Sequence, residues 1–153
     1  MILGIDPGTT ESAFAVVGQD YALHHADKVP NERLVAWLKG VPAEHVAIES
    51  LHCYGMPVGR EVFETAYLIG RLVQVCKDRG IPVTLYPRPE YARRICGVGK
   101  VTDSVLRQAL LLRFGDDRKG GPLHCLKGAS DKRSAFAVAA YHLDVTGGPG
   151  RAA

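Results

Sequence analysis

Two acidic residues each follow a short apolar run, a pattern typical of carboxylates that bind a metal ion. Residues 2–5 lead directly into Asp6 and a Pro-Gly turn, and residues 46–48 lead into Glu49. Asp is depleted in strands, and a charged side chain is rarely buried without a partner. Two strands that both end in an acid can bring their carboxylates to one sheet edge, where oxygen ligands suit a hard divalent cation. Alternatively, Asp6 caps the turn and Glu49 is an ordinary acid at a strand end.

A third acid, Asp131, stands near the start of a predicted helix over residues 130–143. Ser134 follows three residues later, and this spacing places both side chains on one helical face. Cleavage of a phosphodiester by two metal ions needs clustered carboxylates that hold cations roughly 3.5–4 Å apart. Asp6, Glu49 and Asp131 are therefore the candidate ligands. Because Ser130-Asp131 is also a natural helix start, helix capping is the alternative for Asp131.

The elements that must position these residues alternate between strands and helices, which predicts an α/β fold with a mixed five-stranded sheet flanked by helices. The link between the first two strands is too short for a crossover, so this pair must be antiparallel. We expect a single domain over residues 1–145 and a disordered tail over 146–153. The predicted strands cover residues 2–6, 13–17, 21–26, 46–49 and 81–86, and the predicted helices cover 30–39, 60–79, 90–95, 102–114 and 130–143.

Composition excludes several classes of protein. The chain has 153 residues, of which 46% are hydrophobic and 23% charged, as is usual for a soluble globular domain. It contains no apolar run long enough for a membrane span and no signal peptide at its start. Its four cysteines form no Cys-x-x-Cys pair, so we expect free thiols, no zinc site and a cytoplasmic location.

Charge is distributed unevenly along the chain. Residues 1–80 contain 7 Lys/Arg and 10 Asp/Glu, whereas residues 81–153 contain 12 and 6. This asymmetry fits metal ligands in the first half and phosphate contacts in the second, although a solvated surface is the alternative. The basic residues that could line a DNA backbone are Arg88, Arg93, Arg94, Lys100 and Arg107.

Four segments in order resemble RuvC-type Holliday junction resolvases, which belong to the RNase H-like superfamily. They are Ile-Leu-Gly-Ile-Asp-Pro-Gly-Thr-Thr at 2–10, Val-Ala-Ile-Glu-Ser at 46–50, Gly-Val-Gly-Lys at 97–100 and Asp-Lys-Arg-Ser-Ala-Phe-Ala-Val-Ala at 131–139. The resemblance covers nearly the whole chain. The short segment between Asp6 and Glu49 is similar to that of phage or otherwise divergent members. The first motif also resembles the opening of actin-like ATPases, so a fragment of such an ATPase is a further alternative.

The resemblance implies an RNase H-like fold and a Mg²⁺-dependent crossover junction endodeoxyribonuclease, with Mn²⁺ as a substitute. It implies branched DNA as the substrate and a homodimer, for which residues 60–79 are the candidate interface. It further implies that His52 and Tyr54, in a loop rich in Gly and Pro, lie against unpaired bases; a solvent-facing loop is the alternative. Neither a membrane nor a small-molecule cofactor is expected.

The resemblance fails at two positions. The family has two metal-binding positions three residues apart on the last helix, the second usually Asp, and here they are Asp131 and Ser134. The basic residue that follows the Gly-x-Gly loop in the family has Lys100 as its nearest substitute, with Asp103 near its position. Three alternatives follow. Asp131 is the only metal ligand from this helix, or the second metal ion binds weakly, or the chain is a catalytically weak or inactive junction-binding protein.

Overall fold

A mixed sheet with strand order β3-β2-β1-β4-β5 forms the centre of the computed structural model, which describes residues 1–52, 55 and 57–147. As predicted, β1 is antiparallel to β2, and it is parallel to β4 on its other side. The strands are β1 (Ile2–Asp6), β2 (Glu11–Val17), β3 (Leu23–Pro30), β4 (His45–Ser50) and β5 (Val83–Pro87). The α-helices are α1 (Asn31–Leu38), α2 (Arg60–Asp78), α3 (Arg88–Cys96), α4 (Asp103–Phe114) and α5 (Ser130–Thr146).

Alternation along the strands separates two hydrophobic layers. Leu3 and Ile5 of β1 pack in the layer that contains α1 and α2, whereas Ile2 packs in the layer that contains α3, α4 and α5. Because successive side chains of a strand point to opposite faces, Asp6 lies on the same face as Ile2. Glu49 lies on that face too, since it is two residues beyond Ala47, a member of the α5 layer.

Gly4 allows α5 to approach the sheet closely. A Cβ atom placed on Gly4 would lie 1.9 Å from the backbone oxygen of Ala135. Any larger residue would therefore push the helix away from β1. The sequence of α5 is rich in small residues at this contact, and Ala135 and Ala139 are fully buried. This close contact sets the distance between the start of α5 and the acidic end of β1.

The structure corrects several predicted boundaries. The third strand starts at Leu23 rather than at residue 21, because Tyr21 has a φ of 67° and belongs to the turn closed by Gly18 and Ala22. It continues to Pro30, which pairs with Glu11 of β2. Helix α3 begins at Arg88, two residues earlier than expected. Pro89 suits that first turn, because a helix leaves the first amide groups without partners.

The remaining differences are at the end of the chain. Residues 124–126, predicted as loop, form a short 3-10 helix. Helix α5 extends to Thr146, and residues 148–153 of the predicted tail lie outside the described part of the chain. Three described cysteines, Cys76, Cys96 and Cys125, are free thiols. Within the described residues, every helix is too short or too polar to cross a membrane.

Candidate active site

Asp6 and Glu49 are neighbours at the ends of two parallel strands. Ile5 and Ile48 are partners in the β1–β4 register, and the two acids follow one residue later. Burial raises the pKa of Asp6 to about 8, and the negative charges of Glu49 and Asp131 add to this effect. Burial also raises the pKa of Glu49. Since a nearby positive charge favours the ionised form of an acid, this pair is an electrostatically favourable place for a cation.

The turn after Asp6 is held by other side chains. The Gly8 amide donates to Ser12 Oγ at 3.1 Å, and the Ser12 hydroxyl donates to Asn31 Oδ1 at 2.7 Å. The Asn31 amide group then donates to the backbone oxygens of Gly8 and Thr9, each at 3.0 Å. The Asp6 carboxylate makes no hydrogen bond or salt bridge with the described residues. Its carboxylate is thus not needed to cap the turn, and the alternative reading of Asp6 has no support in these contacts.

Glu49 is held by two residues of α3. The Tyr91 hydroxyl donates a short hydrogen bond to Glu49 Oε2, and Arg88 Nη1 lies 3.8 Å from the same oxygen. The Glu49 side chain is only 18% exposed. It is therefore not an ordinary surface acid at a strand end. Burial and the negative charge of Glu49 strongly raise the pKa of the Tyr91 phenol, which stays protonated and remains a donor.

Arg88 lies within this acidic cluster rather than on an open surface. Its Nη1 donates to Ser134 Oγ at 2.7 Å, and its Nη2 donates to Asp103 Oδ1 at 2.6 Å. Ser134 is 2% exposed, so the hydroxyl of this residue is committed to the guanidinium. The guanidinium fork thereby links the start of α3 to both α4 and α5.

Asp131 is paired with a residue that the sequence did not single out. Lys28 Nζ on β3 lies 2.6 Å from Asp131 Oδ2, and the Ser130 hydroxyl donates to Asp131 Oδ1 at 3.1 Å. The hydrogen bond from Lys28 lowers the pKa of Asp131, although partial burial acts in the opposite direction. Asp131 does not cap α5 in the usual way, since the N-cap residue is Ala129 and no side chain caps it.

A polar cleft of about 260 Å³ opens beside Asp6 and Asp131, and Lys28 and Glu11 also line it. Its carboxylate oxygens are the ligand type that Mg²⁺ and Mn²⁺ prefer. Among the described residues, however, no group of three or more Asp, Glu, His or Cys side chains is arranged to hold one metal ion. The donors therefore fit one hard cation on Asp6 and Glu49, while a complete set for two ions is missing. Mg²⁺ usually binds one or two carboxylates and keeps several waters.

A second cleft, lined by basic side chains, lies beside this site. Arg88, Arg93 and Lys100 share its wall with Pro89, Ala92, Gly99 and Val101. Arg93 Nε donates to the Gly99 backbone oxygen at 3.1 Å, which fixes the loop between α3 and α4.

The other predicted DNA contacts are arranged differently. Arg107 is held by Asp117 through two hydrogen bonds of 2.9 Å. Arg94 acts electrostatically on Asp144 and Tyr141 and is not part of the basic cleft's wall. His52 is exposed just after β4, and Tyr54 lies outside the described residues.

Four residues of the site were missed by sequence reasoning: Ser12, Lys28, Asn31 and Tyr91. Lys28 stands two residues after Ala26 in β3, so strand alternation alone could have placed it on the α5 face. Tyr91 follows Arg88 by three residues, which puts both on one helical face once the start of α3 is known. The roles of Ser12 and Asn31 depend on contacts between separate elements and carry no local signal.

Comparison with solved structures agrees with this architecture. No protein-family model and no curated protein sequence matches the chain. The Thermus thermophilus RuvC structure is similar with a TM-score of 0.73 and 19% identity, over 95% of this chain and 96% of that one. T. thermophilus RuvC in complex with a Holliday junction substrate has a TM-score of 0.71 and 19% identity, over 95% of this chain and 93% of that one. The Fowlpox virus resolvase, in complex with Holliday junction DNA, has a TM-score of 0.66 and 11% identity, over 95% of this chain and 99% of that one. The chain therefore has the RuvC-like form of the RNase H-like fold, as predicted.

Proposed function

We propose that this protein is a structure-selective endonuclease that hydrolyses phosphodiesters in four-way or other branched DNA. The observation that carries the proposal is the side-by-side placement of Asp6 and Glu49 at the ends of β1 and β4. The fold supports it, since two structural neighbours are resolvases bound to Holliday junction DNA and match almost their whole length. The basic cleft beside the carboxylates supports it further, because cationic side chains bind the phosphate backbone.

Mg²⁺ is the proposed cofactor, with Mn²⁺ as a substitute, and Asp6 and Glu49 are its proposed ligands. A bound divalent ion would stabilise the charge on the phosphodiester and lower the pKa of an attacking water. Around it, Tyr91 orients the Glu49 carboxylate, and the network of Ser12 and Asn31 keeps Asp6 at the end of β1. Asp131 contributes negative charge to the lining of the polar cleft.

The protein's own cations would hold the substrate. Arg93 and Lys100 line the basic cleft and would contact phosphates on one side of the scissile bond. His52, exposed at the end of β4, is proposed to lie near the branch point, as is Tyr54. Arg94 and Arg107 remain proposed contacts of the outer backbone. For Arg107 this requires opening its ion pair with Asp117.

A homodimer is proposed because symmetric cleavage of a four-way junction needs two active sites related by a twofold axis. Helix α2 offers a suitable surface. Its inner face buries Leu68 and Leu72 against the sheet, whereas Phe63 and Tyr67 are 51% and 71% exposed. These two aromatic side chains are four residues apart and thus lie on one outer face. Aromatic residues are enriched at protein interfaces, so α2 is the proposed dimer contact.

The proposal is tested by incubating purified protein with an end-labelled four-way junction and with linear duplex of the same sequence. Each substrate is combined with Mg²⁺, with Mn²⁺ or with EDTA. We expect cleavage of the junction only, at paired positions on opposite strands, and only with a divalent metal. Equal cleavage of the linear duplex would contradict structure selectivity, and cleavage in EDTA would contradict metal dependence.

A junction-binding protein with weak or no cleavage is the second candidate. Ser134 favours it, because a hydroxyl stands where the resemblance expects a carboxylate. The absence of a three-ligand metal cluster among the described residues also favours it. The same incubation separates the two candidates when binding is measured in parallel by gel shift. Tight junction binding without product in Mg²⁺ or Mn²⁺ would support this second function.

A further inference from the structure

The Arg88 side chain is held inside the acidic cluster by partners on α4 and α5. Its guanidinium donates to Ser134 and Asp103 at 2.7 and 2.6 Å and lies 3.8 Å from Glu49. The side chain is 32% exposed and is anchored at both ends of its fork. An arginine fork with two partners is a directional, charge-assisted contact. It therefore acts as a fixed positive charge inside the acidic cluster.

The carboxylate oxygens available to metal ions are few. Glu49 Oε2 already accepts from Tyr91 and lies next to Arg88, which leaves Oε1 as the uncommitted oxygen of Glu49. Asp131 accepts from Lys28 through one oxygen and from Ser130 through the other. Both oxygens of Asp6 are without hydrogen-bond partners among the described residues. The uncommitted oxygens thus belong to Asp6 and Glu49, which is enough for one Mg²⁺ with its waters.

The fixed cations lead to the same number. Arg88 pairs with Asp103 and Lys28 pairs with Asp131, which leaves Asp6 and Glu49 as the carboxylates that a divalent ion can neutralise. A second ion would lie against the Arg88 guanidinium, to which the hydroxyl of Ser134 is already bound. Like-charge repulsion in a partly buried site opposes that arrangement.

We propose that Arg88 replaces a second metal ion in this site, so that each chain binds a single divalent cation, on Asp6 and Glu49. This inference rests on the proposed nuclease function and specifies its site. Arg88 would then supply the second positive charge next to the scissile phosphate, a role that guanidinium groups perform in other phosphoryl-transfer sites. Ser134 and Asp103 are the positioning residues that hold the fork.

Metal stoichiometry without DNA tests the proposal and does not depend on activity. Mn²⁺ is titrated into the wild-type protein by isothermal calorimetry, and free Mn²⁺ is followed in parallel by electron paramagnetic resonance. We expect one ion per chain. Two ions per chain would overturn the role of Arg88 and leave the proposed nuclease function intact. No bound ion would overturn metal dependence itself, and this inference with it.

Variants test whether Arg88 is the reason that each chain binds one metal ion. Ser134→Asp alone should still bind one ion, because the new carboxylate pairs with Arg88. Arg88→Gln combined with Ser134→Asp should bind two, since the guanidinium is gone and a carboxylate is added. Arg118→Gln is the matched control, as Arg118 is an exposed arginine whose side chain is 84% accessible. It should bind one ion.

Two results in the variants would contradict the proposal. A second ion in Ser134→Asp alone would mean that the serine, and not Arg88, limits the site. A single ion in the double variant, with a circular dichroism spectrum like that of the wild type, would mean that Arg88 does not exclude a second one. The wild-type stoichiometry remains decisive if the double variant fails to fold.

Discussion

The Lys28 ammonium on the edge strand β3 lies 2.6 Å from the Asp131 carboxylate at the start of α5. This ion pair joins two elements that are 103 residues apart in the chain and closes one wall of the polar cleft. Its side chains are 43% and 42% exposed, so the pair contributes only about 0–1 kcal/mol to stability. Its main effect on the cleft is electrostatic, because the Lys28 ammonium places a positive charge beside Asp6 and Asp131.

Lys28→Gln should therefore tighten the binding of Mn²⁺ by about 3–10-fold, because it removes a positive charge near Asp6 that repels the metal ion. The free energy of unfolding should change by less than about 1 kcal/mol. Calorimetric titration measures the first effect and urea denaturation the second. Lys119→Gln, at an exposed loop position, is the control and should leave metal affinity unchanged. Equal affinities in wild type and Lys28→Gln would show that Lys28 does not compete with the metal.

Asp6→Asn should reduce junction cleavage by at least about 100-fold, because an amide keeps the shape of the side chain but loses the charge that attracts the metal. Junction binding should be unchanged or slightly stronger, since one negative charge facing the DNA is removed. Cleavage assays and gel shifts measure the two effects. Asp20→Asn makes the same chemical change in the exposed β2–β3 turn, at the end of the strands opposite to Asp6. This variant should cleave normally. Wild-type rates in Asp6→Asn would remove Asp6 from the site.

Arg93→Gln should make the salt dependence of junction binding shallower. Each phosphate contact that is lost changes the log–log slope by about 0.9 on duplex DNA. Arg94→Gln removes the same charge from the next residue of α3, but Arg94 is not part of the basic cleft's wall. Its effect should be smaller. Affinity is measured by fluorescence anisotropy from low to moderate salt. Identical slopes for the two variants would mean that the basic cleft does not bind phosphate.

Tyr67→Glu should shift the protein from dimer to monomer, because it introduces a charge at the proposed contact between two copies of α2. The effect should be large, since buried aromatic residues commonly contribute 2 kcal/mol or more to an interface. Light scattering coupled to size exclusion reports the molar mass. Leu112→Glu is the control, since Leu112 on α4 is 92% exposed and lies outside the proposed interface. A monomeric wild type, or an unchanged mass for Tyr67→Glu, would contradict the α2 interface.

A stacked histidine pair, of which His142 is buried, predicts a dependence of stability on pH. The rings of His45 and His142 stack at 3.8 Å, and Tyr86 shares a hydrogen bond of 2.9 Å with His142 Nδ1. Burial, with the charge of His45 as a second cause, lowers the pKa of His142 to about 4. The folded state therefore keeps His142 neutral where the unfolded chain already binds a proton. Stability from this residue is complete above about pH 6.5 and is lost as the pH falls toward 4.

His142→Gln should remove that part of the pH dependence while keeping an acceptor for Tyr86. Between pH 7 and pH 4, the difference in unfolding free energy between wild type and variant should change by about 1–3 kcal/mol. The difference isolates His142, because the cleft carboxylates titrate in both proteins. Urea denaturation at several pH values gives the curves, with His24→Gln, at an exposed position, as the control. Parallel curves for wild type and His142→Gln would show that His142 does not contribute to the pH dependence of stability.

The local sequence pattern determined the strands, their order of appearance along the chain and the acids at their ends. The apolar runs that end at Asp6 and Glu49 identified two strands and their acids, because alternation and strand propensity act over a few residues. A helix was predicted to start at residue 102, and in the structure Thr102 caps α4 through its hydroxyl, which accepts from the Val105 amide. The mixed five-stranded sheet and its antiparallel first pair were also predicted, from the short first link and the alternation of strands and helices.

Only the tertiary structure decided which cations and hydroxyl groups meet the acids. Arg88, which was predicted to contact phosphate, is held by Ser134 and Asp103, because β5 brings the start of α3 next to the end of β4. Lys28 reaches Asp131 across 103 residues of chain, and Gly4 sets how closely α5 approaches. Such contacts join distant segments through packing and leave no periodic signal along the chain. Residue types and local spacing thus determined which carboxylates are available, and packing decided how they are paired.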